Sequence, residues 1–418
     1  MFIYVVKTGD SLYSIATKYH VSMDSIWYKN ALNSDRLVPG QDLIIPTNMY
    51  IVQPGDSLYS IAQMALLPME TIRFINCLCS DELWVGMNLY IPPRVKYFAK
   101  DFGYITPSTP EKNQIIVQRF ASITNYYGIF EYHIFEDGSL SSIPNDEQLV
   151  TLVGMNNVAP LAVITNLTQT GFSQDLVGKI LNNPELGQRV IDHIYNLIKS
   201  KNYAGVNIDF EKVRGEDRDK YSCFLCLLRE RLRPEGYCTS VALPAKTSDE
   251  ISWLQGYDYG GIGASVDFVF IMAYDWHEVS SLPGPVAPIN EVRKTIEYAQ
   301  NYIRRNKIIL GVARYGYDWM MSNGKVESAR AISVMDAIET AMKYQAPIQY
   351  SIEDQQPFYR YRDESGKLHI VWFEDVKALA QKLQMVVDYQ LKGIGAWQLG
   401  LHFPQAGYLV DDFLTKKL

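Results

Sequence analysis

No stretch of this 418-residue chain reaches the 18 or so consecutive apolar residues that a membrane span requires, so no transmembrane segment is expected. Basic residues are in the minority, 39 Lys and Arg against 46 Asp and Glu, for a formal net charge of -7. Without a cationic excess to displace counterions, neither nucleic acid nor an anionic membrane surface is an expected partner. Cysteine is scarce: Cys77, Cys79, Cys223, Cys226 and Cys238 form an odd set without framework spacing, which excludes a disulfide scaffold. Cys223 and Cys226 do fit a CxxC pattern. The surrounding run, Arg218–Leu232, has apolar positions at helical spacing and neither a second CxxC nor a histidine, so buried thiols are expected rather than a metal or redox site. There are six histidines, of which His133, His277 and His369 read as satisfied structural side chains. No His/Asp/Glu group has metal-ligand spacing, and no metal or cofactor is expected. The first residues, Met1 to Lys7, lack a charged region, an apolar core and a small-residue cleavage site, so a secretory signal peptide is not expected.

What is present is an ordinary globular balance, 47% hydrophobic and 20% charged, with 12% aromatic residues and 29 tyrosines. Most aromatics pack cores, but an excess also suits a surface that stacks on sugars or peptides. The length calls for two or three domains unless one is a large barrel.

The first ninety or so residues are a repeat. Tyr4 to Ala16 recurs as Tyr50 to Ala62 at an offset of 46, and the same offset carries Asn30 onto Asn76, Gly40 onto Gly86 and Pro46 onto Pro92. Each copy runs from an alternating strand into Gly-Asp-Ser, whose Asp and Ser can cap the helix that carries Leu12, Ile15 and Ala16 in the first copy. A second short helix and a closing strand complete a β-α-α-β unit. The pattern resembles the LysM module, which binds the N-acetylglucosamine units of peptidoglycan and chitin. The resemblance implies a sugar groove formed by Gly9, Asp10, Ser11 and Leu12 with residues 37–40, and in the second copy by Gly55, Asp56, Ser57 and Leu58 with residues 83–86. Two weak modules on one chain would raise avidity for a polymer. Pro92-Pro93 ends the second copy, dividing the chain into 1–47, 48–93 and 94–418.

Beyond residue 94, short apolar runs alternate with amphipathic helical stretches. Strands are expected at 102–106, 126–135, 161–166, 206–210, 239–243, 268–274, 307–313 and 393–399, with helices such as 188–199, Arg218–Leu232, 289–304 and 375–390. Eight near-continuous apolar strands alternating with helices indicate an α/β fold, a (β/α)8 barrel, and no Gly-rich phosphate loop argues for an open nucleotide-binding sheet. Between the seventh and eighth strands, 319–373 exceeds one helix and is expected to hold a small α+β insertion: a helix near 333–344 and a hairpin turned at Ser365-Gly366.

The fourth strand carries the strongest signal. Val206-Asn207-Ile208-Asp209-Phe210-Glu211 alternates with period two, placing Asn207, Asp209 and Glu211 on one face and the apolar residues on the other. Barrel active sites form at strand carboxyl ends, where Tyr274, Asp275, Trp276, Arg314, Tyr315, Tyr317, Trp397 and Gln398 would join the two acids. Acids and aromatics in one mouth suit carbohydrate chemistry.

Tyr203 to Glu211 resembles the DGxDxDxE signature of family 18 glycoside hydrolases, Met272-Ala273-Tyr274-Asp275 resembles that family's MxYD, and Gly393 to Gln398 resembles its last-strand GxxxW. A family 18 barrel behind two LysM repeats is similar to the arrangement in cortex-degrading N-acetylglucosaminidases of bacterial endospores. The resemblance implies cleavage of β-1,4 bonds after N-acetylglucosamine by substrate assistance, with the 2-acetamido oxygen attacking its own anomeric carbon. It makes Glu211 the acid and base, Asp209 the partner of the acetamido N–H, Tyr274 the donor to the acetamido oxygen and Trp397 the apolar floor. Asn207, Asp275, Trp276, Tyr317 and Gln398 would complete the substrate contacts. It also implies a peptidoglycan or cortex glycan as partner, spore coat proteins as neighbours, and the coat or cortex region of the spore as the location. Ala204 and Asn207 depart from the signature's first two aspartates. Asn207 can donate to Asp209 but cannot titrate, so an altered acidic limb of the pH profile is expected. A chitinase and a non-catalytic glycan-binding wall or coat protein are the alternatives.

Overall fold

The computed structural model describes residues 1–416. Each repeat pairs its first and last strands antiparallel, Phe2–Val5 with Asp42–Ile45 and Met49–Ile51 with Asn88–Tyr90. The Gly-Asp-Ser turn works as its composition suggests. Ser11 caps the helix Leu12–Lys18 in a reciprocal box with Ser14, and Ser57 does the same with Ser60 for Leu58–Ala65. Asp10 accepts from the Tyr4 hydroxyl and the Lys7 N–H, both at 2.7 Å, and Asp56 repeats this with Tyr50 and Gln53. The two repeats share one apolar core, across which Tyr50 meets Phe2 and Tyr19 at ring separations of 5.3 and 5.7 Å.

The remainder is a closed parallel barrel. Its eight strands, in order, are Tyr97–Ile105, Tyr126–His133, Ala159–Thr165, Gly205–Asp209, Cys238–Pro244, Phe268–Met272, Ile308–Ala313 and Gly393–Trp397, and the eighth pairs with the first. All eight coincide with the expected strands, with ends shifted by a few residues. The helices between them cover the barrel. Pro184–Lys201 is typical: Asn183 caps it, Pro184 occupies its first turn, and Asn202 in the left-handed region stops it. Its face of Leu186, Val190, Ile191, Ile194 and Ile198 is buried against the sheet, each side chain worth about 1.5–3 kcal/mol of transfer free energy.

Arg218–Leu232 is helical, but its thiols are not buried. The 3.6-residue period places Tyr221, Phe224, Leu225, Leu228 and Leu232 on the packed face, which leaves Cys223 exposed and Cys226 at the margin.

Between the seventh and eighth strands stands a five-stranded antiparallel sheet with the helix Val334–Lys343. The expected hairpin is there, Gln356–Arg362 against Leu368–Phe373. A second hairpin, Tyr315–Ser322 against Lys325–Ser333, was not expected. It starts directly after the seventh barrel strand and turns at Asn323-Gly324, both with positive φ (48° and 75°). The insertion is locked to the barrel by a buried ion pair in which Lys382 donates to Glu374 at 2.7 and 3.0 Å, with Gln356 donating to the same carboxylate at 2.9 Å. Among the described residues, no helix is long and apolar enough to cross a membrane, and no group of three or more His, Cys, Asp or Glu is placed to hold a metal ion.

Candidate active site

The fourth strand separates its faces as the alternation requires. Val206, Ile208 and Phe210 point to the helix layer, where Phe210 stacks on Tyr221 and Phe224 at 5.8 and 5.9 Å. Asn207, Asp209 and Glu211 take the inner face. Register with the neighbouring strands sets Asn207 beside Val163 and Ser240, and Asp209 beside Thr165.

At the carboxyl ends of the strands lies a cavity of about 510 Å³. Asp209 and Glu211 line it, with Tyr104 and Phe130 from the first two strands, Tyr274, Asp275 and Trp276 after the sixth, and Trp397 from the eighth. Trp397 forms an apolar base with Phe130 and Tyr104, at centroid separations of 4.5 and 5.3 Å. Trp253, from the segment after the fifth strand, also lines the cavity and is 68% exposed, so it offers a free aromatic face at the mouth.

The electrostatics of the two acids follow from burial. The Glu211 carboxyl is pushed up to about 7, chiefly by burial, with the nearby charge of Lys212 opposing and that of Asp275 adding to the shift. Asp209 is raised well above the ordinary carboxylate range, first by burial and then by the charges of Glu211 and Glu131. Its Oδ1 is buried without a hydrogen-bond partner within the protein. Such an oxygen normally finds one, so Asp209 keeps unused acceptor capacity at the wall of the cavity. Burial and the neighbouring carboxylates raise the Tyr104 and Tyr274 hydroxyls well above the ordinary tyrosine value, which keeps both as proton-bearing donors. Asp275 is raised by burial, against the opposing effect of hydroxyl bonds from Tyr315 (2.7 Å) and Tyr317 (2.9 Å).

Five residues expected at the mouth stand elsewhere. Asn207 is fully buried below the cavity, its Oδ1 accepting from Tyr104 at 2.8 Å and its Nδ2 donating to Ser240 at 3.0 Å. Those two partners use its polar atoms, and the bond to Asp209 expected of it is not among its contacts. Tyr315 and Tyr317 do not line the cavity; their hydroxyls serve Asp275. Gln398 turns its Oε1 to the Gly400 N–H. Arg314 faces outward and donates to the Phe403 carbonyl at 2.8 Å. In the repeats, Gly9 and Gly55 are open, whereas Asp10, Asp56, Ser11 and Ser57 hold the turn and cap, and Leu12 and Leu58 are core residues.

Three further residues carry the site without having been singled out. Asn166, at the end of the third strand, accepts from the Glu211 N–H at 2.9 Å and donates to the Glu211 carbonyl at 2.8 Å, clamping its backbone from both sides. Glu131 accepts from the Thr165 hydroxyl at 2.8 Å and adds negative potential to Asp209. Trp253 is the third. None belongs to a local motif, but Asn166 ends a strand that points into a barrel mouth, and that position was a usable signal.

The family model for glycosyl hydrolases family 18 matches residues 94–401, and that for the LysM domain matches 4–46 and 50–92. Along its whole length the chain is similar to YdhD of Bacillus subtilis (strain 168), at 46% identity over 416 residues covering 99% of each chain. It is 41% identical to the cortical fragment-lytic enzyme of the same organism over 422 residues, 99% of this chain and 98% of that one. The crystal structure of the Bacillus cereus spore cortex-lytic enzyme SleL superposes with a TM-score of 0.90 at 35% identity, covering 100% of this chain and 99% of the other.

Proposed function

This chain belongs to glycosyl hydrolase family 18, and from that premise we propose that it cleaves the β-1,4 bond after N-acetylglucosamine in peptidoglycan, with spore cortex fragments as substrate during germination. The observation that carries the reading is the pair of acids in the barrel mouth: Glu211 held near neutrality beside Asp209, whose buried oxygen lacks a donor. Because the two carboxyls titrate together, the pair retains a proton near pH 7, and that proton is the one a leaving oxygen needs. Glu211 donates it and then activates water. Asp209 accepts the acetamido N–H and, once the proton has gone to the leaving group, balances the positive charge on the cyclised intermediate. Tyr274 donates to the acetamido oxygen as it turns toward the anomeric carbon, and Trp397 supports the apolar face of the sugar. Asp275 and Trp276 shape the adjoining wall.

The choice of peptidoglycan, and of the spore as location, is supported by full-length similarity to proteins named for cortex lysis and to YdhD, whose name links it to sporulation. Digestion of cortex fragments and of chitin oligomers side by side, with mass spectrometry of the new ends, tests the reading. Reducing-end N-acetylglucosamine from cortex is expected; reducing-end muramic acid would overturn it, and turnover of chitin alone would assign a chitinase. Glu211→Gln is expected to slow glycan release by about 10²–10⁴-fold. Unchanged release would make the barrel a non-catalytic binding body.

A further inference from the structure

We infer that the two repeats have divided their roles: the second presents the glycan-binding face, and the first has become a fixed part of the catalytic body. This rests on the reading of the repeats as N-acetylhexosamine-binding modules and says which of them is free to act. The repeat offset of 46 allows a position-by-position comparison.

Both copies fold alike. Asn30 and Asn76 each clamp the last strand through matching bonds, donating to Ile26 and Ile44 carbonyls in one case and to Ile72 and Tyr90 carbonyls in the other. Any difference at the surface is therefore not a failure of the module. In the first copy the wall formed by residues 37–40 is covered by the barrel insertion. Val38 is 2% exposed and joins the barrel's own core. The Ile348 N–H donates to the Pro39 carbonyl at 2.9 Å, and a Cβ added at Gly40 would lie 1.9 Å from the Ile348 carbonyl oxygen. Gln405 reaches across to Asn30 at 2.9 Å. In the second copy the counterpart of Val38 is Trp84, 65% exposed, and a Cβ at Gly86 would meet nothing within 4 Å. Tyr59, on the first helix of that copy, is 63% exposed.

A tryptophan left in water at the one copy of this wall that the barrel does not cover fits a neutral sugar polymer, which stacks on aromatic faces and needs no countercharge. Since both repeats share a core, and the first is docked on the barrel, a strand held at Trp84 stands at a set displacement from the cleft. The arrangement is one binding face on a rigid mount, in place of two equal modules adding avidity.

The test uses the full chain carrying Glu211→Gln, so that the polymer survives, and measures co-sedimentation with insoluble peptidoglycan alongside sedimentation velocity of the protein alone. Trp84→Ala and Tyr59→Ala are expected to weaken binding about five- to tenfold each. Tyr13→Ala, the first-repeat counterpart of Tyr59 and 70% exposed, is expected to leave it unchanged. Thermal melts of all three exclude unfolding as the cause. Equal losses from both repeats, or a loss confined to Tyr13→Ala, would overturn the division of roles while keeping glycan binding. No loss from any variant would overturn the glycan reading of the repeats and this inference with it. A dimer that dissociates on Trp84→Ala with glycan binding intact would identify a second copy of the chain as the occupant and likewise overturn it.

Discussion

Replacing Asp275 with asparagine should move the alkaline limb of the pH–rate profile toward acid. Glu211 must carry a proton to protonate the leaving oxygen, and with its carboxyl at about 7 the competent fraction falls about tenfold for each pH unit above that. Burial sets most of this shift, and the Asp275 carboxylate adds to it. Both acids line a cavity of about 510 Å³. A sphere of that volume is about 10 Å across, and two unit charges about 10 Å apart at an effective dielectric of about 20 repel by about 1.7 kcal/mol, or roughly one pH unit. Burial, not this charge, is the largest cause of the Glu211 shift, so the shift expected from Asp275→Asn is downward and at most about one unit. The substitution suits the site. Asp275 has a φ of 64°, where asparagine is well tolerated, and the amide oxygen can still accept from Tyr315 and Tyr317. Lys212, also left-handed at 59° and exposed, acts with the opposite sign, so Lys212→Asn should move the limb upward, by a few tenths of a unit because solvent screens the ammonium. The assay is kcat/KM on a soluble glycan fragment from pH 5 to 9, which reports the free enzyme. An unchanged or more alkaline limb in Asp275→Asn would refute the electrostatic account of Glu211.

Asn207→Asp places a carboxyl where the Nδ2 now donates to Ser240, in a position with no exposure. Such an acid has its folded-state pKa raised, so its cost grows as pH rises: denaturant melts should show a loss of about 1–3 kcal/mol at pH 8 and less at pH 5, with an altered acidic limb of the rate profile. Identical melts and profiles would remove any special role for the amide. Asn166→Ala deletes both bonds that hold the Glu211 backbone, and should lower kcat more than it raises KM; a change confined to KM would contradict a positioning role. Asp42 sits at the junction of the first repeat and the barrel, its carboxyl raised well above the ordinary value by burial and then by Asp375. The folded state therefore binds more protons than the unfolded one as pH climbs above about 4, and stability is lost over that rise. Asp42→Asn should raise the melting temperature at pH 7 and have little effect near pH 4, read by calorimetry; a lower melting temperature at pH 7 would show that the carboxylate stabilises the junction.

Much of the architecture was legible because its signals are local. The eight barrel strands could be placed from apolar runs between helical stretches, and the repeat from an uninterrupted offset. The hairpin after Ala313 was legible too, since Asn323-Gly324 between alternating residues is a strong short-range turn signal. The expectation of Tyr315 and Tyr317 at the mouth after the seventh strand competes with that signal, and the structure resolves it: Tyr315 already pairs in the insertion sheet. The CxxC thiols were misplaced for a related reason: helical period identifies the packed face, and that face passes through Phe224 and Leu225, not through Cys223.

By itself, the sequence determined that Asn207, Asp209 and Glu211 share a face opposite Val206, Ile208 and Phe210, because side-chain direction along a strand depends only on parity. It likewise determined the caps of the repeat helices, since Ser11 and Ser57 bond to residues three positions away. Tertiary structure alone decided which partners those side chains meet. Tyr104 reaches Asn207 across 103 residues, Asn166 clamps Glu211 across 45, and Ile348 closes over Gly40. Hydrogen bonds and burial at such separations depend on how closed sheets and packed layers bring distant segments together. For that reason the wall that follows the second helix of each repeat is covered at Gly40 and open at Gly86, and the same acidic strand holds one carboxyl near neutrality and leaves its neighbour with an unpaired oxygen.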